Sequence, residues 1–402
     1  MATTSSTNNA ANLQATTTVT AAPGESRELR APAKAGSGRL ISLDIFRGAT
    51  IAGMILVNNP GSWNAIYWPL EHAEWHGWTP TDLIFPFFLF IVGVSMVLSF
   101  GSRREKGATR GRLLLHAVQR SAIIFAIGFM LAFWPKFDVH TVRIPGVLQR
   151  IAVVYLIAAV LALYTGRKMR IAVGAGLLVA YWLLMTRVNA GFGAGNLSPD
   201  GNLAAVIDRR IMYEHLWVKH RWDPEGLLST LPAIVTCILG VFTGEWLRKP
   251  VSAERKAQGM VVAGAVLMAL GAAWNVWFPI NKNLWTSSYV LYTGGMAMAL
   301  LALCYWAVEI RGWRKWGAPF VWYGSNAITV YALSSALGKY SVIKRVPMDG
   351  KQVLLKTWVY HRVFEALPLR PVDQSLAFAS CYVLTFLVLA WIMYRKKIFI
   401  KV

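Results

Sequence analysis

Three residues in one short polar stretch have types suited to proton transfer. The run EHAEWHGWTPTDLIFPFFLFIVG, from Glu71 to Gly93, carries His72, His76 and Asp82 immediately before a hydrophobic segment. An ionisable side chain at the centre of a lipid bilayer costs on the order of 3 kcal/mol, so such a cluster reads as a functional site. A neutral imidazole there accepts and returns protons near pH 7. Asp82 has two roles open to it: a carboxylate capping the following helix, or the partner that holds a nearby imidazole in its reactive tautomer. Asn58 and Asn59, just before the Pro60-Gly61 turn, likewise offer a helix cap or a donor to the oxygen that becomes negative during acyl transfer. His72, Glu74 and His76 alternate as metal ligands on a strand would, but the stretch is Trp-rich and turn-like and lacks a matching fourth ligand, so no metal is expected. The five other histidines, His116, His140, His215, His220 and His361, are scattered singly.

The elements that must position this cluster are membrane helices. Apolar residues make up 55% of the 402 positions and charged ones 15%, with the apolar residues in long blocks, which is the composition of an integral membrane protein. Ten spans are expected, at about 41–59, 82–101, 113–133, 147–165, 171–189, 229–247, 258–278, 288–308, 318–338 and 374–394. The fold class is therefore all-α, a bundle of about ten transmembrane helices. Basic clusters follow each even-numbered span: Arg103 to Arg112, Arg167 to Arg170, Arg248 to Lys256, Arg311 to Lys315 and Arg395 to Lys397. By the positive-inside rule both termini are cytoplasmic and His72 lies on the far side. The net charge of +22 is thus read as topology, and no nucleic-acid partner is expected. Residues 1–39, rich in Ala, Thr, Ser and Asn, are expected to be a disordered cytoplasmic tail ahead of a membrane domain over 40–402. Cys237, Cys304 and Cys381 all sit in apolar blocks and are expected to be buried packing residues.

Other polar residues carry paired readings. Asp44 and Arg47 are three apart on one helical face; they form an internal ion pair, or Arg47 lines a cytoplasmic entry for an anionic cofactor. Pro86 frees a backbone carbonyl inside the second span. RIPGVLQR takes Arg143, Gln149 and Arg150 into the fourth span, where the arginines either serve a ligand or pair with a carboxylate such as Asp82 or Asp138. PINKNLWTSSY places Asn281, Lys282, Asn283, Trp285 and Thr286 at a far-side turn, as donors to phosphate or sugar hydroxyls or as a cap. The Trp and Tyr residues between 60 and 81 are interfacial anchors or a stacking platform for a sugar acceptor. The basic surplus between 339 and 373 is a solvated surface or a site for an acidic ligand.

RLISLDIFRG, LVNNPG, HAEWHGWTPTDLIFPFFLFIVG, RIPGVLQRIA, DPEGLLSTLPAI, PINKNLWTSSYVL and YGSNAITVY occur in an order that resembles the heparan-alpha-glucosaminide N-acetyltransferase family, over nearly all of the chain from Arg39 onward. The resemblance implies a multi-pass acyltransferase that carries acetyl groups from cytosolic acetyl-CoA to a glucosamine-type amine across the membrane. It matches His72 to the family's active-site histidine and Asn58 to its active-site asparagine, and it puts Asn where this chain has His76. Arg47, Asp44, Arg150, Lys282 and Trp285 are the residues expected to bind the cofactor. The chain's short tail, in place of the lysosomal member's large luminal domain, points to a bacterial inner membrane, an envelope amino-sugar or glycan acceptor, and a homodimer as one assembly open to it. Either direct transfer with His72 as base or an acetyl-histidine intermediate follows. The rival class is a transporter or flippase for an envelope glycan or another anionic solute, which broken helices near midspan and an inverted repeat would favour.

Overall fold

The structure is a computed structural model and describes residues 40–400. The tail expected over 1–39 lies outside the described residues. Long apolar runs with few Gly or Pro breaks make the helices. In chain order they are α1 (Ile41–Asn58), α2 (Ile84–Glu105), α3 (Arg110–Phe133), α4 (Val147–Tyr164), α5 (Arg167–Arg187), α6 (Leu203–Met212), α7 (Thr230–Leu247), α8 (Ala253–Trp274), α9 (Ser287–Tyr305), α10 (Ala318–Ser325), α11 (Ala327–Ser341), the short α12 (Leu355–Val359) and α13 (Pro371–Arg395). Among the described residues, nine helices are long and apolar enough to cross a membrane. An exposed two-stranded hairpin, β1 (Arg345–Met348) and β2 (Lys351–Leu354), pairs Arg345 with Leu354 and Met348 with Lys351.

Helices α1, α2, α4, α7 and α9 bury most of their surface at the centre of the bundle, whereas α3, α5, α8 and α13 keep most of theirs facing outward. An apolar outer face of this kind suits lipid. The central pair α2/α7 closes to backbone contact: a Cβ on Gly93 would lie 2.1 Å from the Cys237 carbonyl oxygen, and one on Gly240 2.0 Å from that of Phe90. Small residues at such crossings let helices associate where the hydrophobic effect does not drive them. Cys237 and Cys304 are buried as expected, but Cys381 is exposed. It stands on the outward side of peripheral α13, where an apolar sequence block faces lipid rather than protein.

The run expected to cross at 318–338 is broken. Gly324-Ser325-Asn326 has low helix propensity, and the chain stops at Ser325 and restarts at Ala327. Both polar atoms of the Asn326 amide are taken by the segment after α13: Nδ2 donates to the Ile398 carbonyl and Oδ1 accepts from the Ile400 N–H, each at 2.9 Å. Gly324 packs so closely on α1 that a Cβ would lie 2.3 Å from the Asp44 carbonyl oxygen. The break is therefore level with the first turns of α1, not with the middle of the bundle.

Ion pairs and hydrogen bonds gather the basic clusters at one end. Arg248 Nη2 meets Glu105 Oε1 at 2.7 Å, Arg170 meets Glu245 at 2.6 Å, and the Ser42 N–H donates to Glu309 Oε1 at 3.1 Å. The opposite end carries the longer loops: residues 60–81, residues 190–228 with α6, the 279–286 turn, and the hairpin with α12.

Candidate active site

At the loop end the sequence TPTD folds on itself. Thr79 and Asp82 form a reciprocal capping box before α2, in which Asp82 Oδ2 accepts from the N–H groups of Thr79 (3.1 Å) and Ala73 (3.0 Å) and from Thr79 Oγ1 (3.2 Å). That leaves Oδ1, which meets His72 Nδ1 at 2.7 Å. Asp82 thus caps the helix and contacts the imidazole at once. A proton on Nδ1 shared with the carboxylate leaves Nε2 with its lone pair, the arrangement a base or nucleophile needs. The His72 side chain is 47% exposed and the Asp82 side chain 2%, so a buried carboxylate orients an accessible imidazole.

Pro86 contributes from four residues away. It has no N–H to give the Asp82 carbonyl, and a buried carbonyl needs a donor. Tyr289 OH on α9 supplies it at 2.5 Å. The carboxylate-bearing residue is thereby fixed from the backbone side as well.

The PINKNLW turn is equally constrained. The Gly77 N–H donates to the Ile280 carbonyl at 2.7 Å, tying the turn to the histidine loop. Asn281 Oδ1 accepts from the Leu284 N–H at 2.9 Å, and Trp285, at φ +52°, turns its ring inward so that Nε1 donates to Thr236 Oγ1 at 3.1 Å. The outcome is that Lys282 Nζ lies 2.9 Å from His72 Nδ1, 3.4 Å from Nε2 and 3.3 Å from Asp82 Oδ1. Burial lowers the Lys282 pKa from its ordinary value, against the pull of Asp82 and Glu225. His76 turns away: its Nδ1 faces Asn281 Nδ2 at 3.4 Å, and burial lowers its pKa.

The remaining expected site residues are distributed over the bundle. Asn58, the last residue of α1, is exposed, while its neighbour Asn59 caps the helix by donating from Nδ2 to the Ile55 carbonyl at 2.8 Å. Arg143 binds Asp223 through Nε (2.8 Å) and Nη2 (2.6 Å), and also Glu225. Burial works against its charge, but the two carboxylates outweigh this and raise its pKa. A carboxylate partner was expected, but not this one: Asp82 is committed to His72 and Asp138 to Thr141. Among the described residues Arg150 pairs with no carboxylate. Its Nη2 donates to the Gly226 carbonyl (3.1 Å) and Ser229 Oγ (2.5 Å), its guanidinium lies over the Trp285 ring at 5.2 Å, and Nε and Nη1 have no partner among the described residues. Lys282 and Trp285 belong to the loop end, remote from Asp44 and Arg47 at the start of α1.

At the basic end a cavity of about 320 Å³ opens between α1, α2, α3, α4 and the α10/α11 break. Arg47, Arg103, His116 and Arg120 bring cationic or protonatable groups to it, with Ser95, Ser99 and Ser325. Arg47 is an ion-pair partner and a cavity residue at once: Nη1 contacts Asp44 Oδ1 (3.2 Å) and the Gly324 carbonyl (3.3 Å), and Nη2 donates to Ser95 Oγ (2.7 Å). Ala327 and Ile328, the first residues of α11, also line it, so the positive end of a 15-residue helix faces the same space. His116 and Arg120 were missed in the sequence. The signal was present, because both are ionisable residues inside an apolar span. No group of three His, Cys, Asp or Glu side chains able to hold a metal occurs among the described residues.

Residues 39–278 match the family model described as heparan-alpha-glucosaminide N-acetyltransferase, catalytic. The chain is 31% identical to the human heparan-alpha-glucosaminide N-acetyltransferase, over 90% of this chain and 60% of that protein. It is 28% identical to the mouse protein of the same name, over 92% of this chain and 61% of its length. The chain therefore spans about 60% of the length of these relatives. The matched region includes Arg47, Asn58, His72, Asp82, Arg143 and Arg150 and ends four residues before Lys282.

Proposed function

Because the chain belongs to the heparan-alpha-glucosaminide N-acetyltransferase family, we propose that it is a membrane acetyltransferase that takes an acetyl group from acetyl-CoA and transfers it to the amine of an amino sugar. The observation that carries this reading is the buried Asp82 carboxylate 2.7 Å from His72 Nδ1, since it turns a half-exposed imidazole into an oriented base.

His72 Nε2 removes the proton from the attacking amine, or is itself acetylated and passes the group on. Asp82 holds the tautomer and stabilises the imidazolium that forms. Asn58 donates to the thioester oxygen as it gains charge. At the other end, Arg47, Arg103, Arg120 and the start of α11 hold the phosphates of the nucleotide. Arg47 and Asn58 lie on the same helix, eleven residues and so about 16 Å apart, a distance an extended pantetheine arm covers. Alternating basic loops support a cytoplasmic basic end, with the loop end and the acceptor outside; a bacterial inner membrane is the setting we favour. The α10/α11 break would suit an ion path, but transporter breaks lie near the bilayer midplane, and this one is level with the first turns of α1 and closed by the C-terminal segment.

Calorimetry with acetyl-CoA on detergent-purified protein, paired with an acetyl-transfer assay to glucosamine, tests the reading. Binding together with transfer is expected; a protein that neither binds acetyl-CoA nor forms N-acetylglucosamine is not this enzyme. Orientation is tested by Asn64→Cys, whose exposed loop site should react with an impermeant thiol reagent from the outer side alone.

A further inference from the structure

Lys282 Nζ is an amine held beside the imidazole that would serve an acceptor amine. It lies 3.4 Å from His72 Nε2, the nitrogen left with a lone pair, 2.9 Å from Nδ1 and 3.3 Å from the Asp82 carboxylate. A tight ammonium–carboxylate pair closes to about 2.7–2.9 Å, so the Asp82 contact is a loose one. Nor does Asp82 need the lysine, because His72 and the N–H groups of Ala73 and Thr79 already serve its two oxygens. The backbone turn that delivers Lys282 is rigid, held by Gly77, Asn281 and Trp285, so the amine is presented rather than wandering. Burial also favours its neutral form, and a neutral amine is the nucleophile in acyl transfer.

We propose that Lys282 is a self-acetylation site, modified by the enzyme's own acetyl-CoA when no acceptor occupies the loop end. The inference rests on the acetyltransferase reading above. One proton of the lysine ammonium is first lost to solvent. The neutral Nζ then forms an N–C bond with the acetyl carbonyl carbon as the C–S bond breaks. His72 Nε2, 3.4 Å away, takes the proton that Nζ sheds and returns it to the departing thiolate, so the products are N-acetyl-lysine and free CoA thiol. The amide carries no charge and is stable, whereas an acetyl-imidazole hydrolyses; the acceptor's place beside His72 is then filled by an acetyl group. Acceptor-free acetyl-CoA accordingly inactivates the protein progressively.

The test is peptide mass spectrometry of the full-length protein after incubation with isotope-labelled acetyl-CoA, with and without glucosamine. Labelled acetyl is expected on Lys282 and retained through denaturation. Glucosamine should lower it, and in His72→Ala it should fall by about 10²-fold or more, while chemical acetylation of exposed Lys344 and Lys351 stays unchanged. His72→Gln, with acetyl-CoA binding measured alongside, guards against loss through misfolding. An unlabelled Lys282, or one labelled at the Lys344 rate or equally in a folded His72 variant, overturns the proposal. If glucosamine is acetylated while Lys282 stays bare, only this inference fails; if neither is acetylated, the acetyltransferase reading fails with it.

Discussion

At the loop end, hydrogen bonds from three separate segments hold Asp82 and the turn that carries Lys282, and the Asp82 carboxylate in turn orients His72. The basic end is different. Arg47, Arg103, His116 and Arg120 line open space there; Arg47 is held by Asp44, Gly324 and Ser95, and the three arginines share positive charge directed at one cavity. The contrast matches the physics of the two tasks proposed for them. Proton transfer needs atoms placed to within a fraction of an ångström, whereas holding phosphates needs positive potential that several cations supply together. Damage at the loop end should therefore appear in the rate of transfer, and damage at the basic end in donor affinity.

The largest separation is expected from His72→Ala, which should lower acetyl transfer by about 10²–10⁴-fold while acetyl-CoA affinity in calorimetry stays near wild type. His76→Asn should retain most activity, since that ring faces Asn281 rather than Asp82. If His76→Asn abolished transfer and His72→Ala were nearly silent, the two rings would have to exchange roles. Asn58→Ala comes next, at about 10²–10³-fold in turnover if its amide serves the developing oxyanion. A pure rise in KM would move Asn58 from chemistry to binding.

Arg47→Gln should mainly raise the Kd for acetyl-CoA. A hydrogen bond to a charged group is worth about 1.5–3 kcal/mol, which is about 10- to 150-fold in affinity, with turnover at saturating donor close to wild type. A collapse of turnover at saturation would mean that the two ends are not separable as described.

The smallest effect belongs to Asp208, in α6 of the long loop between α5 and α7. Burial raises its pKa from 3.8 to about 7, against the Leu227 N–H that donates to Oδ1 at 2.9 Å. The folded state thus keeps a proton that the unfolded chain releases above pH 3.8, so the stabilisation is full below that pH and is lost as pH rises through about 7. Asp208→Asn should raise the thermal midpoint at pH 8 and leave it unchanged near pH 4. Equal shifts at both pH values would mean that the side chain is not titrating between them.

The contrast between ends was unevenly visible in the sequence. His72, Asp82 and Asn58 stood out because each was a reactive type next to an apolar run. Of the two readings of Arg47, the ion pair with Asp44 is present, and the same side chain also lines the cavity at the basic end. His116 was read only as a scattered histidine and Arg120 not at all: they lie one turn apart on α3, but what gives them significance stands across the cavity on other helices. Lys282 and Trp285 were assigned together to the cofactor, but Lys282 lies at His72 while Trp285 is buried beneath Arg150. Their spacing on one turn said nothing about which face of the turn would meet the histidine loop.

Hydropathy and length alone determined that this is a helical membrane protein, located nine of the ten expected spans to within a few residues, the run at 318–338 being broken, and marked the end where the basic loops gather. Those properties are local: a helix forms and partitions according to its own residues. Tertiary structure decided the rest. It brought Lys282 to His72 across 210 positions, gave Arg143 to Asp223 rather than to Asp82 or Asp138, supplied Tyr289 to the carbonyl that Pro86 leaves open, and assembled a cavity from six separate helical segments. Each of these depends on which helices touch and at what rotation. That is set by close packing at positions such as Gly93 on Cys237 and Gly324 on Asp44, and no pattern within a single span encodes it.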